Sequence, residues 1–140
     1  VDLSLKDGSG LELIKDIKSQ FKQIKMLTVS MHDENLFAER CIRAGALGFV
    51  NKQQAAEQLI KAVYRVLEGK VFLSSEMTER MICRSIGSEN YSNESPIESL
   101  SDRELEVFEQ IGQGETTRKI AESGKCDRAD PERDPMGSGK

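Results

Sequence analysis

Apolar and polar positions along the first 86 residues alternate between short apolar runs and longer amphipathic stretches. Residues 1–5, VDLSL, read as a strand with an aspartate inside it, and residues 6–10, KDGSG, as a turn, because two glycines and an aspartate relax the φ restrictions. Leu11, Leu13, Ile14, Ile17 and Phe21 then recur at helical spacing. Residues 24–30, IKMLTVS, form a second strand, apolar enough to be covered on both faces. Met31, His32, Asp33 and Glu34 open the next helix, with acidic residues at the positive end of its dipole. That helix carries Leu36, Phe37, Cys41 and Ile42 and stops at Ala44 and Gly45, where glycine suits a C-terminal cap. Residues 47–51, LGFVN, give a third strand. Residues 55–68 form a strong amphipathic helix with Leu59, Ile60, Val63, Tyr64 and Leu67 on one side, ended by Gly69. Val71, Phe72 and Leu73 are briefly extended, and Ser74 or Ser75 caps a further helix through Met77, Met81 and Ile82.

Strands alternating with helices predict a parallel sheet covered by helices. A doubly wound sheet commonly has about five strands or more. Three good ones here make the first visible strand an interior member of a sheet whose opening units are absent. Residues 87–98, GSENYSNESPIE, change to a linker composition. Residues 99–123 then read as helix, glycine turn, helix. Ser101 with Glu104 makes a capping box, Leu100 staples toward Leu105, and Leu105, Val107, Phe108 and Ile111 give an apolar face. Gly112 and Gly114 stop this helix, and Thr116 or Thr117 caps a short second one, TRKIAE. Residues 124–140 have almost no apolar positions and are expected to be disordered.

The chain has 140 residues, 37% hydrophobic and 31% charged, which fits one domain or a small domain and part of another. No apolar run approaches the roughly 18–20 residues of a membrane span, and no signal peptide opens the chain, so a cytoplasmic location is expected. The net charge of −4 gives no global sign of nucleic-acid binding. Locally the balance is also acidic. Residues 99–123 hold Asp102, Glu104, Glu106, Glu109, Glu115 and Glu122 against Arg103, Arg118 and Lys119, which leaves no electrostatic footprint for phosphates. Cys41, Cys83 and Cys126 are odd in number and form no CxxC pair, so they read as reduced, packed thiols.

Candidate chemistry comes from three positions at the C-terminal ends of the expected parallel strands: Asp2, Ser30 and Lys52. Ligands of open α/β sheets bind beyond those ends. A carboxylate, a hydroxyl and an ammonium at one edge suit phosphoryl transfer to the carboxylate. Asp2 would be the nucleophile, and Ser30 and Lys52 would hold phosphoryl oxygens. A divalent metal normally completes such a site. His32, the single histidine, reads as a solvated loop residue. A small flavodoxin-like enzyme is the rival of another class, but it needs a phosphate loop after its first strand and the chain shows none.

VDLSLKDGSGLELI, MLTVSMHDE and AGALGFVNK resemble the last three strand regions of bacterial response-regulator receiver domains. LSDRELEVFEQIGQGETTRKIAE resembles the first half of the LuxR-type helix-turn-helix, and the order of the two is that of NarL/FixJ-type regulators. The resemblance implies an α/β fold: a partial flavodoxin-like receiver from strand 3 onward over residues 1–86, the linker 87–98, and a truncated all-α helix-turn-helix over 99–123. By position, Asp2 matches the phosphoacceptor, Ser30 and Lys52 the phosphoryl-sensing pair, and Phe49 the switch aromatic. Asp2 and the backbone carbonyl of Ser4 match magnesium ligands. The family's remaining acidic ligands fall before Val1, which implies weak or absent Mg2+ binding by this chain. Thr117, Arg118 and Lys119 are the DNA-contacting candidates, and the recognition helix that should follow Glu122 is replaced by the tail. The resemblance implies a regulator and not an enzyme, phosphorylated by a sensor histidine kinase, with promoter DNA and a homodimer as partners and no membrane. The alternative is a phosphorylation-independent pseudo-receiver or an inactive fragment.

Overall fold

The computed structural model describes residues 1–6, 8–87 and 96–114. The elements in chain order are β1 (Ser4–Leu5), β2 (Gly8–Ser9), α1 (Gly10–Gln20), β3 (Leu27–Ser30), α2 (Glu34–Ala44), β4 (Gly48–Asn51), α3 (Ala56–Leu67), α4 (Ser75–Ser85) and α5 (Asp102–Gly112). β3 and β4 pair in parallel, with Leu27 opposite Gly48 and Ser30 opposite Asn51. Single residues extend this pair on both sides. Val29 N donates to Val1 O at 2.8 Å, and Phe49 N donates to Phe72 O at 3.0 Å. Four chain segments thus lie side by side in the order Val1, β3, β4, Phe72.

The expected continuous strand over residues 1–5 does not form. Only Val1 joins β3; the chain then leaves the sheet, and Ser4–Leu5 fold back antiparallel on Gly8–Ser9. The turn glycines draw the backbone away from the sheet as soon as Asp2 has been placed at its edge.

Local sequence explains the helix starts. Asp33 accepts from Asn35 N at 2.8 Å, Ser74 Oγ from Met77 N at 3.1 Å, and Ser101 and Glu104 make the expected reciprocal capping box. α2 ends where Gly45 takes φ 121°, a left-handed conformation that a side chain would disfavour.

Phe49 and Val50 are both buried, and successive strand residues point to opposite faces. On the Phe49 side lies the main core: Leu11 and Ile14 of α1, Phe37, Ala38 and Cys41 of α2, Met77 of α4 and Leu105 of α5. α3 packs against β3 and β4 and buries Ala62 and Val66. Its strong apolar side is not covered among the described residues, since Ile60, Tyr64 and Leu67 are 56, 66 and 60% exposed. The amphipathic pattern of this helix was legible, but its partner was not. Cys41 is fully buried, and burial pushes its thiol up to about 11, so it stays protonated. No helix among the described residues is long and apolar enough to cross a membrane. The second helix of residues 99–123, Cys126, the tail, and most of the linker lie outside the described residues.

Leu105 is 1% exposed within this core, whereas Phe108 on the same helix is 49% exposed. Leu105→Ala is expected to lower unfolding free energy by about 2–5 kcal/mol, read from the urea midpoint. A loss no larger than a surface substitution would mean that α5 does not dock there.

Candidate functional site

β3 and β4 run in parallel, so their C-terminal ends reach one edge together, and Val1 brings Asp2 to the same edge. Lys52 Nζ donates to Asp2 Oδ2, and Lys52 N donates to Ser30 O at 2.9 Å. Asp2 Oδ1 accepts from Ser4 N at 3.1 Å. Ser30 is fully buried, with its Oγ accepting from His32 N at 3.2 Å. Of the residues named from sequence, Asp2 and Lys52 touch directly. Ser30 joins them through its backbone, and Phe49 lies inward in the core, three residues before Lys52. Ser4 stands beside Asp2 at the surface. Thr117, Arg118 and Lys119 lie outside the described residues.

His32 is not the solvated loop residue that its sequence surroundings suggest. Its side chain is 12% exposed, Nε2 lies 2.8 Å from Ser4 Oγ, Nδ1 meets Glu109 Oε2, and its ring packs 4.8 Å from that of Phe37. A hydrogen-bonded path therefore runs from α5 through His32 and Ser4 to Asp2. Separations of 28 and 77 residues carry this path, so no local pattern could have shown it.

α5 meets the rest of the chain along one face. Asp102, Glu106 and Glu109 fall at the spacing of a single helix side. Asp102 accepts from Lys15 and from Arg40 (2.9 Å), and Glu106 Oε1 accepts from Ser9 Oγ.

Gly10 has a specific role at the site. A Cβ there would stand 2.3 Å from Asp2 O and 2.5 Å from Leu3 Cα, both backbone atoms. The need is for close approach, not for a left-handed φ. Gly10→Ala is expected to displace the segment carrying Asp2 and to cost about 1–3 kcal/mol. A thermal melt together with the amide shifts of residues 2–4 reads this, and unchanged shifts would refute it.

Burial of the Asp2 carboxyl opposes ionisation, but the hydrogen bonds from Lys52 and from the Ser4 amide, with the charge of Lys52 and the neighbouring His32, outweigh it. The carboxyl is held below its ordinary value. Asp2 therefore contributes stability above the unfolded value of 3.8, and this contribution is lost as the pH falls through the lower folded value. Lys52→Gln is expected to move the Asp2 titration upward in a carboxyl-carbon NMR experiment. An unmoved titration would show that Lys52 does not set it.

The residues present do not make a magnesium site. Among the described residues no three His, Cys, Asp or Glu side chains converge, and both Asp2 oxygens are engaged by protein donors. Magnesium needs near-octahedral oxygen coordination, and one engaged carboxylate with a carbonyl falls short of it.

Residues 1–64 match the family model of the response regulator receiver domain. The chain is 30% identical over 122 residues to response regulator UvrY of Escherichia coli, covering 87% of this chain and 55% of UvrY. It is 33% identical over 126 residues to oxygen regulatory protein NreC of Staphylococcus carnosus, covering 87% of this chain and 58% of NreC. The chain thus spans about half the length of these curated relatives. Among solved structures, RcsB from Salmonella enterica serovar Typhimurium, bound to promoter rprA, superposes with a TM-score of 0.54 at 27% identity, covering 91% of this chain and 58% of RcsB. The resemblance to response regulator receiver domains is thus carried by residues 1–64 of this chain.

Proposed function

We propose that Asp2 accepts a phosphoryl group from the phosphohistidine of a sensor kinase, and that the acyl phosphate controls promoter binding by the longer protein. The observation that carries this reading is the contact between Lys52 Nζ and Asp2 Oδ2 at the strand-end edge. An Asp2 carboxylate oxygen attacks phosphorus, the phosphorus–nitrogen bond breaks, and the electron pair returns to the imidazole, which takes a proton from water. Lys52 holds the carboxylate ionised before transfer and pairs with a phosphoryl oxygen after it. Ser30 Oγ gives up its contact with the His32 amide and donates to a second phosphoryl oxygen. That exchange pulls on the His32 loop and, through His32, on Glu109 of α5. Phe49, in the core beside these residues, takes the position of the switch aromatic.

Receiver domains generally bind Mg2+ at the phosphorylation site, and regulators of this family are generally DNA-binding proteins rather than enzymes. RcsB, seen on its promoter in the presence of a phosphomimetic, supports the link from phosphorylation to DNA for that protein. For this chain, residues 1–140 alone take up phosphoryl groups poorly and bind DNA poorly, and the native-length protein does both. A gel shift of each with and without acetyl phosphate tests the reading. Tight promoter binding by residues 1–140, or no phosphorylation response in the native-length protein, overturns it.

A further inference from the structure

We propose that a cavity of about 930 Å³ between α1, α2, α4 and the start of α5 binds a small-molecule polyphosphate, free or carried on a nucleoside. Each of three helices sends a pair of cations into it, spaced three or four residues apart so that both lie on one face: Lys15 and Lys18, Arg40 and Arg43, Arg80 and Arg84. Three carboxylates face them. Glu39 takes Arg43 and Arg84, both at 2.6 Å; Glu98 takes Arg80 and Arg84; Asp102 takes Lys15 and Arg40. Among the described residues, six cations against three acids leave a local surplus of three positive charges, in a chain whose net charge is −4.

Docking the turn before α5 explains Glu98 and Asp102, and one guanidinium for each would satisfy it. Among the described residues the surplus is met only by neutral backbone oxygens, with Lys18 Nζ donating to Lys22 O at 3.1 Å and Arg40 to Leu100 O at 2.6 Å. It is concentrated in a concave space with Leu36, Ala44 and Ile97 as apolar lining, and the volume falls in the range of small-molecule sites. Guanidinium groups recognise phosphate oxygens two at a time, and adjacent phosphoryl groups match several cations at the spacing of neighbouring helices. A concave space of this size suits a compact anion rather than a duplex. Because Glu98 and Asp102 hold the same cations, a polyphosphate here competes with the contacts that anchor the start of α5.

Calorimetric titration of the 140-residue chain with inorganic pyrophosphate and with ADP, without magnesium and at constant ionic strength, tests the site. Saturable binding of pyrophosphate is expected, weakened about tenfold or more in Lys18→Gln/Arg43→Gln. Both replaced residues belong to the pocket rim, and circular dichroism verifies that the variant is folded. Tighter binding of ADP assigns the ligand to nucleotides; equal binding assigns it to polyphosphate alone. Absence of saturable binding below ~1 mM, equal affinity in the variant, full displacement by equimolar sulfate, or tighter binding of a DNA duplex at the same residues overturns the proposal.

Discussion

Asp2→Asn in the native-length protein is expected to reduce phosphoryl incorporation from acetyl phosphate and magnesium by at least about a hundredfold. The change is nearly isosteric, so the asparagine carbonyl still accepts from Ser4 N. What is lost is the anionic oxygen proposed as the nucleophile, which is also the partner of Lys52 Nζ. Asp2 and Lys52 side chains are 31 and 41% exposed, and ion pairs so open to water contribute about 0–1 kcal/mol. The fold therefore survives the substitution, and a melting curve close to the wild type separates lost chemistry from lost structure. Retained incorporation in the folded variant would move the phosphoacceptor elsewhere.

Phe37→Ala is expected to produce the largest loss of stability. The ring is fully buried, and it packs in the cluster that joins α1, α2, α4 and α5, with the His32 ring 4.8 Å away. Removing a buried phenylalanine costs about 3–5 kcal/mol, against about 5–15 kcal/mol for a whole domain. Much of the molecule's margin goes with this one side chain, and the same change loosens the loop that links Ser30 to α5. Urea unfolding measures it, with Phe108→Ala, at a half-exposed ring, as the comparison. Equal losses in the two variants would contradict the packing described.

The convergence of Asp2, Lys52 and Ser30 was legible because parallel strands deliver their C-terminal ends to one edge, and the apolar runs marked where those ends fall. Helix starts were legible for a similar reason: Asp33, Ser74 and Ser101 act on amides within three residues of themselves. Long-range contacts decided what was not. Val1 and Leu3 suggested a continuous strand, but pairing with β3 stops after Val1 and the hairpin turns away. The apolar side of α3 was plain in the sequence, yet periodicity says only that a face is apolar and not what lies against it. His32 looked solvated beside Asp33 and Glu34; its ring is enclosed by Ser4, Phe37 and Glu109, which no short window contains. Gly10 read as a turn glycine, and the structure gives the sharper reason: the backbone of Asp2 and Leu3 occupies the space that a β-carbon would need.

Chemical mapping locates the residue that carries the phosphoryl group. The native-length protein is phosphorylated with acetyl phosphate, its acyl phosphate is reduced with borohydride, and the peptides are sequenced by mass spectrometry. Homoserine is expected at position 2 and at no other aspartate, and is absent when the phosphoryl donor is omitted. Homoserine at another aspartate, or none in a protein whose intact mass has risen by one phosphoryl group, would contradict that expectation.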